Sequence, residues 1–467
     1  MKKLSACVPN VKRIGMSSGV SAQRKLLRSS CVGLLALMLC LCLPAAMHGQ
    51  IIVDCTGGTL GAYSSINAAL ANVTGPGAAI LVSGPCNENV ALNNMYNLSL
   101  GAYWGQTFSL TGGVSIAASQ GVYLYGMNIS NPAGTGISVS GSSDVTLDSC
   151  TSNKNQVYGL SIGDLAAVDL IGPDSFDGNG TNGINMGNHA SVNTSTYAGP
   201  VDISSNGGPG VWMSQGSVFA SVGYLIMEDN GANPTTSSSL EMPPGFGMEI
   251  FGGSVAQFGT CFGPNLIEGN ASGGVSVLEN SQLSFWSCGS NLSLIEGNGP
   301  VGIQAGYGGQ VTIGPNTVQV SGHTGPAVDV FAQSHLLAYG SNLFSQNGSA
   351  GDPRSAAIRV DGDSEAFFRG GQISKNHGPG FLALVNSSVD IAEVTFAGNS
   401  GGAITCDSSS YMAGNLSGAQ GGPSVSCRTP HNLGNRAFSP LRTAIPDFTI
   451  QKKRQAQYRR MATRLNH

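Results

Sequence analysis

The sequence contains few charged residues. Aspartate, glutamate, lysine and arginine make up only 10% of the 467 residues, and aromatic residues only 7%. Basic residues are scarcest between residues 51 and 427. This segment contains five basic and 24 acidic residues, which gives it a formal net charge of −19. A segment this acidic repels nucleic acids and anionic membrane surfaces. The composition therefore excludes nucleic acid as a partner and disfavours a strongly anionic polymer as a ligand.

The sequence also lacks an apolar run long enough to cross a bilayer. Residues 32–43 form an apolar stretch that is too short for a span, and Arg24, Lys25 and Arg28 precede it. A basic region, a short apolar region and then small residues are typical of an export signal. We therefore expect residues 1–50 to be a signal peptide. The mature protein is then secreted, on the cell surface or in the periplasm, with no membrane span after signal removal.

The basic residues that the central segment lacks are concentrated at the C-terminus. Nine basic residues and one acidic residue follow Cys427. Pro430, Pro440 and Pro446 interrupt any strand in this segment. We expect residues 428–467 to be a basic tail, either disordered or folded as a short helix.

What the sequence does have is a short repeat. A glycine or alanine, an apolar residue, any residue and another apolar or small residue recur eleven times at steps of 23–37 residues. The repeats begin at Gly136, Gly159, Gly183, Gly210, Gly247, Gly274, Gly302, Ala327, Ala357, Gly380 and Ala403. Such a period predicts a solenoid over residues 51–427, in which each unit buries its apolar face against its neighbours.

Each repeat contains three strand-like pieces. The motif is the first, and an alternating piece such as Val145-Thr146-Leu147 is the second, with the period of two that indicates a β-strand. The third ends in an apolar residue followed three positions later by asparagine, as in Ile295 and Asn298. Three short strands per repeat predict an all-β fold, a parallel β-helix of about a dozen coils.

The repeated asparagines are interpreted as structural. Asparagine tolerates left-handed turns, and stacked amides can bond one coil to the next. His323 replaces the asparagine once and is interpreted as a substitute in the same ladder. The segment Cys150-Thr151-Ser152-Asn153 is placed in the same frame, which predicts a buried Cys150.

Residues 51–90 depart from the repeat. Ile66, Ala69, Leu70 and Val73 have helical spacing between two strand-like pieces, residues 51–53 and 79–82. The segments Ser65-Ile66-Asn67-Ala68-Ala69-Leu70, Ile80-Leu81-Val82-Ser83-Gly84 and Glu88-Asn89-Val90 resemble the opening of the pectate-lyase-like superfamily. The resemblance implies a right-handed β-helix whose open N-terminal end is covered by a short capping helix.

The resemblance implies no particular activity. Pectate lyases of this superfamily carry acidic calcium ligands and an arginine base, and polygalacturonases carry clustered aspartates with Gly-His-Gly and Arg-Ile-Lys segments. Neither set is present as such in this sequence. Asp361-Gly362-Asp363-Ser364-Glu365 could ligate Ca²⁺ through oxygen but lacks the full calcium-loop pattern. We expect no metal or other cofactor, with this segment as the only candidate for calcium.

The third residue of each motif forms the candidate binding face. Its neighbours point inward, so it points outward, and adjacent coils lie about 4.8 Å apart. The resulting column contains the candidate carbohydrate-binding residues Trp212, Glu249, Gln304, Asp329 and Arg359. An insertion at residues 231–245 is expected to border it as a loop. The alternative is a solvated surface, with Asp329 and Arg359 as a weak ion pair.

Two functions stay open at this point. Glu249 and Asp329 are three coils apart, about 14 Å at the interstrand spacing. Retaining glycosidases need carboxyl groups roughly 5–5.5 Å apart and inverting ones roughly 6.5–9.5 Å. We therefore expect a protein that binds an extracellular polysaccharide or cell-surface glycan or has a structural role at the cell surface. The alternative is a polysaccharide lyase or glycoside hydrolase with an atypical site.

Six cysteines are expected to form three disulfides. The pairs are Cys55 with Cys86, Cys261 with Cys288, and Cys406 with Cys427. Equivalent positions on adjacent coils are about 4.8 Å apart, within the range of about 4.4–6.8 Å between the Cα atoms of a disulfide. Export makes such bonds permissible.

Overall fold

Three long parallel sheets wind around one apolar core. This computed structural model describes residues 49–195, 199–231, 245–352 and 355–415, together with Cys427. Every strand pair in it is parallel, and each sheet is formed by strands from successive coils. The predicted parallel β-helix is therefore confirmed. Residues 1–48 of the predicted signal peptide and the predicted tail lie outside the described residues.

The first sheet has 13 strands and contains the repeat motif. Its register follows the motif without a slip, so that Ile303 lies between Val275 and Val328 on the neighbouring coils. Its strands are Val90–Asn93, Val114–Ala117, Ile137–Ser140, Leu160–Ile162, Ile184–Met186, Val211–Met213, Phe246–Ile250, Gly273–Val277, Ile303–Ala305, Val328–Val330, Ile358–Val360, Phe381–Ala383 and Ile404–Cys406.

The second sheet has 15 strands and contains the alternating pieces. Its strands are Gln50–Asp54, Ala79–Ser83, Ser99–Ala102, Val122–Tyr125, Asp144–Asp148, Ala167–Leu170, Ser191–Thr194, Val218–Ser221, Val255–Gly259, Gln282–Trp286, Gln310–Ile313, His335–Tyr339, Glu365–Arg369, Ser388–Ala392 and Tyr411–Asn415. Inward residues stack along the core, as in the Phe258 and Phe285 rings, whose centroids are 5.2 Å apart. Such stacking gives each coil the apolar contacts that it cannot make alone.

The third sheet consists of a 4-stranded and an 8-stranded part. Single bridges through Ser175 to Thr151 and Asp202 join the two parts. Its strands are Cys86–Asn87, Phe108–Thr111, Met127–Ser130 and Thr151–Ser152, then Val201–Asp202, Leu225–Glu228, Asn265–Glu268, Ser293–Glu296, Val318–Ser321, Leu343–Ser345, Gln372–Ser374 and Thr395–Ala397.

Buried asparagines form a ladder between the third and first sheets. Asn270 donates its side-chain amide to Asn298 Oδ1 at 2.8 Å, and Asn230 donates to Asn270 Oδ1 at 2.9 Å. His323 occupies one rung, where its ring nitrogens lie 3.1 Å from the carbonyl oxygens of Asn298 and Ile295. The structural interpretation of both residue types is confirmed. Burial lowers the pKa of His323, and the two carbonyl contacts oppose that shift.

One frame within this ladder was predicted wrongly. Thr151 pairs with Ser175, so Ser152 rather than Cys150 is equivalent to the apolar Phe176. The rung of the ladder is Asn155, whose amide donates to Asn179 Oδ1 at 2.8 Å, and not Asn153. Cys150 is nevertheless fully buried, as predicted. The error arose because Ser152 takes a core position where an apolar residue was expected.

A second ladder, made of buried serines, was not predicted. The backbone N–H of Ser254 donates to the hydroxyl of Ser281 at 3.2 Å, and Ser217 donates to Ser254 at 3.1 Å. These serines follow two-residue left-handed turns such as Glu279-Asn280, with φ of 55° and 60°. The turns connect the first sheet to the second. The ladder satisfies backbone donors that the sharp turn leaves without a strand partner.

The N-terminal cap has the predicted helix, shortened to Ile66–Leu70 and designated α1. The Ser65 hydroxyl accepts from Ala68 N at 3.1 Å, and the Glu88 carboxylate accepts from Ile66 N at 2.7 Å and from Asn67 N at 3.0 Å. A negative charge at this position satisfies free N–H groups and the helix dipole. A 3₁₀ helix, Tyr103–Gly105, follows in a later coil.

All three predicted disulfides are present. The Cα atoms are 5.3 Å apart in Cys55–Cys86, 4.8 Å in Cys261–Cys288 and 4.9 Å in Cys406–Cys427. Cys261 and Cys288 lie at equivalent positions, each two residues beyond the end of its strand in the second sheet. These bonds are consistent with an oxidising compartment. In the part of the chain that the structure describes, no helix is long and apolar enough to cross a membrane.

Candidate functional site

The predicted outward column exists and is in continuous register. Trp212 pairs with Glu249, Glu249 with Ser276, Ser276 with Gln304, Gln304 with Asp329, and Asp329 with Arg359. All five candidate residues therefore lie in one line on the first sheet. Ser276, which had no assigned role, separates the first two from the other three.

Trp212 and Glu249 lie side by side on adjacent coils of this column. The Trp212 ring packs against Phe251 with 5.1 Å between ring centroids, and its indole Nε1 is buried without a hydrogen-bond partner. Glu249 is only 8% exposed. Among the described residues, none makes a hydrogen bond or ion pair with its carboxyl group. Two neighbouring coils thus hold a buried indole N–H without a partner and a carboxyl group that makes no hydrogen bond to the described residues.

Burial changes the protonation of Glu249. Desolvation raises the pKa of Glu249 to about 8, because removal from water disfavours the charged form. Its carboxyl group is therefore mostly neutral at pH 7 and carries a proton that it can donate. Perturbed carboxyl groups of this kind are concentrated at functional sites, although structural groups also show such shifts.

The local backbone explains why Glu249 sits where it does. Its strand, Phe246–Ile250, begins directly after Gly245, at the end of the predicted insertion. A Cβ atom on Gly231 would lie 2.3 Å from the Cα atom of Gly245, so the insertion leaves and re-enters the coil at one point. Residues 232–244 of the insertion lie outside the described residues. The two ends of the insertion therefore lie beside the strand that holds Glu249.

Asp329 and Arg359 form a bidentate ion pair at the other end of the column. Arg359 Nε donates to Asp329 Oδ1 at 2.7 Å and Arg359 Nη2 donates to Asp329 Oδ2 at 2.6 Å. Asp329 is only 8% exposed. Burial raises the pKa of Asp329, and the contact with Arg359 opposes that shift. The ion pair named in the alternative is therefore present, and its side chains are more removed from water than a solvated surface would leave them.

The remaining candidates are not brought together with Glu249 or with one another in a compact cluster. Gln304 is half-buried between Ser276 and Asp329. Ser276 is 2% exposed. Two rungs separate Glu249 from Asp329, which keeps their carboxyl groups about 14 Å apart by strand spacing. Among the described residues, the acids of the calcium candidate, Asp361, Asp363 and Glu365, do not converge within 4.8 Å as a set of three.

A second buried acid, Asp174, was not predicted. Its Oδ1 accepts from Cys150 N at 2.8 Å, whereas its Oδ2 is buried without a partner. Burial raises the pKa of Asp174 to about 8. Burial also raises the pKa of the Cys150 thiol, which makes it a poor nucleophile. No sequence pattern distinguishes Asp174 from the acids on the surface turns, because its burial depends on the stacking of neighbouring coils.

Comparison with known proteins supports the fold. The sequence of residues 51–197 matches a family described as "Right handed beta helix region". This match and the parallel strands confirm the resemblance to right-handed β-helix proteins, including the hand. The A-module of the mannuronan C-5 epimerase AlgE4 of Azotobacter vinelandii is a similar solved structure, 11% identical, with 79% of this chain and 93% of that chain covered and a TM-score of 0.36. No curated protein matches this sequence.

Proposed function

We propose that the protein is exported and binds an extracellular polysaccharide along the column of the first sheet, with Trp212 and Glu249 as its anchor. The observation that carries the proposal is an aromatic ring and a largely protonated carboxyl group on adjacent coils, the latter with no hydrogen bond to the described residues. A ligand hydroxyl on this face would hydrogen-bond to the Glu249 carboxyl group, and the Trp212 ring would pack against the sugar ring beside it.

The electrostatics of the column favour a neutral or weakly charged glycan. Glu249 is mostly uncharged at pH 7 because of its raised pKa. Arg359 is already committed to Asp329 through two hydrogen bonds. The polar groups that these described residues leave available are therefore of the kind that pair with sugar hydroxyls. Half-buried Trp212 adds an apolar ring face of the type that packs against the C–H face of a pyranose.

A catalytic role for Glu249 is the second candidate, favoured by its protonation state. A general acid must hold its proton at the working pH, and a carboxyl group with a pKa of about 8 does so at neutrality. A hydrolase would need a second carboxyl group within roughly 9.5 Å. Asp329, the other acid predicted for the site, is too far away.

One screen tests both candidates. The purified protein is incubated with a panel of neutral and acidic polysaccharides, and both retention and soluble products are measured. Binding without new reducing ends or unsaturated products supports the proposed function. Products that form with the wild type and disappear in Glu249→Gln would establish the catalytic alternative. No retention of any polysaccharide and no product would contradict both.

A further inference from the structure

A second concave site lies beside the column, where the first sheet meets the second. It is a groove of about 630 Å³ on the ridge of left-handed turns between the first and second sheets. Four successive coils line it, through Asn280, Tyr307, Gln310, Gln333, His335 and Asp363. Gln310 pairs in register with Gln282 and His335 on the neighbouring coils, so these side chains form a second row parallel to the column.

Tyr307 presents an aromatic ring to this groove. It occupies the first position of a left-handed turn, with φ of 52°, and its residue is 63% exposed. The ring is held edge-on against Phe331, with 5.6 Å between centroids and an interplanar angle of 81°. Gly306 makes room for this contact, since a Cβ atom there would lie 2.4 Å from the Phe331 ring. The exposed ring is therefore fixed in position.

The carboxamide side chains of the groove are available to a ligand. Within the described residues, the carboxamides of Asn280, Gln310 and Gln333 make no hydrogen bond to the protein. A shallower trough shares Gln310 and continues the groove past Gln282 and Gln257, whose amides are likewise uncommitted. Each carboxamide offers a donor and an acceptor in one plane. Vicinal hydroxyl groups present the complementary acceptor and donor at a similar separation.

The charge of the groove disfavours an anionic ligand. Besides the Tyr307 phenol, its titratable groups are His335, Asp363 and the neighbouring Glu365, whose carboxylate lies 3.6 Å from His335 Nδ1. Among the described residues, no lysine or arginine lines it. A phosphate or uronate would therefore meet acids without a lysine or arginine to offset its charge, and a hydrocarbon chain would meet uncommitted amides.

We propose that this groove is a separate binding site for a short neutral oligosaccharide, with Tyr307 as a stacking platform and the amides of Asn280, Gln310 and Gln333 as hydroxyl partners. Four coils at about 4.8 Å give the groove a length of about 14 Å, enough for a few linked sugar rings. The site uses no residue of the column from Trp212 to Arg359. The test of this proposal is therefore independent of the test of the proposed function.

Calorimetric titration of the full chain tests the proposal. The probes are cellohexaose, mannohexaose and xylohexaose, with hexagalacturonate as the anionic counterpart. Titrations are made on the wild type and on Trp212→Ala, so that binding at the column can be subtracted. At least one neutral probe is expected to bind to both proteins and more tightly than hexagalacturonate.

Matched variants locate the site. Tyr307→Ala and Gln333→Ala, each made in the Trp212→Ala protein, are expected to weaken the neutral probe roughly tenfold, the effect of one stacking contact or one well-placed hydrogen bond. Val385 occupies the same turn position on another coil and is 51% exposed, so Val385→Ala is the control and should bind unchanged. Far-ultraviolet circular dichroism checks that each variant is folded.

Three results would overturn the groove proposal. They are no binding of any neutral probe to the Trp212→Ala protein, equal affinities of the Tyr307→Ala, Gln333→Ala and Val385→Ala variants, and tighter binding of hexagalacturonate. If the wild type binds a neutral probe and the Trp212→Ala single variant does not, the probe binds at the column and the groove proposal is rejected.

Discussion

Ile303 and Gln304 are consecutive residues on one strand whose side chains face opposite sides of the wall. Ile303 is fully buried between Val275 and Val328, whereas Gln304 is half-buried between Ser276 and Asp329 on the outer side. The same alternation divides every motif strand into a core side and a column side. The fold and the proposed binding face thus depend on a single register.

Aspartate should be far more damaging at Ile303 than at Gln304. A carboxylate at Ile303 would be buried without a partner, which costs several kcal/mol, at the upper end for single substitutions. At Gln304 the same group reaches solvent, and we expect a change of about 1 kcal/mol or less. Thermal unfolding of Ile303→Asp and Gln304→Asp measures both. Equal losses would mean that the register is wrong.

The fold could be predicted because its determinants are local and repeated. Alternation and the spacing of Gly302, Ala327 and the other motif starts predicted the coils. The repeated asparagines predicted one of the turns in each coil. The serine ladder has a weaker sequence signal. Ser254, Ser281 and Ser334 each precede a strand of the second sheet, but serine is common in loops and so does not stand out. Cys150 was placed in the wrong frame because Ser152 fills a core position, which residue type alone does not indicate.

Stability should fall as the pH rises from about 4 to about 8. Glu249 and Asp174 have ordinary pKa values of 4.5 and 3.8 and folded values of about 8. In this window the folded state binds more protons than the unfolded state, so unfolding becomes easier as the pH rises. Each pKa unit corresponds to about 1.36 kcal/mol, which gives each group an effect on the order of a few kcal/mol.

Variants that replace each carboxyl group with an uncharged amide test this assignment. Glu249→Gln and Asp174→Asn should each flatten the dependence of the unfolding free energy on pH and should stabilise the protein near pH 8. Denaturant unfolding at a series of pH values measures the slopes. Slopes unchanged from the wild type in both variants would show that neither group carries the effect.

The ion pair of Asp329 and Arg359 should contribute measurably to stability. Its two hydrogen bonds are charge-assisted and largely shielded from water, and we expect a coupling free energy of about 1–2 kcal/mol. A double-mutant cycle with Asp329→Ala and Arg359→Ala measures it. The more exposed pair of Arg369 and Asp390, 3.4 Å apart, is the matched control, with an expected coupling below about 1 kcal/mol. Equal coupling in the two pairs would contradict the account.

The disulfide between Cys261 and Cys288 should stabilise the middle of the solenoid. It closes a separation of 27 residues. The double substitution of both cysteines by alanine should cost about 2–4 kcal/mol. Non-reducing peptide mapping of exported protein should show this link and the other two, with Cys150 as a free thiol. Free thiols at Cys261 and Cys288 would reject the pairing.

The candidate site was only partly accessible from the sequence. Alternation placed Trp212, Glu249 and Arg359 in one outward line, but it left a binding face and a solvated surface as alternatives. The burial of Glu249 and Asp329 and the unsatisfied indole N–H of Trp212 depend on what neighbouring coils place around them. The amide groove near Tyr307 was missed for the same reason, since its residues come from four coils and share no local motif.

The most direct test of the column is the affinity of Trp212→Ala for a polysaccharide retained in the screen. Ser138→Ala is the control, because Ser138 belongs to the same column but lies outside the segment from Trp212 to Arg359. If the column binds the glycan at Trp212 and Glu249, Trp212→Ala should weaken binding about tenfold or more while its far-ultraviolet circular dichroism shows that it stays folded, as in Ser138→Ala. Equal affinities of Trp212→Ala, Ser138→Ala and the wild type would contradict the account.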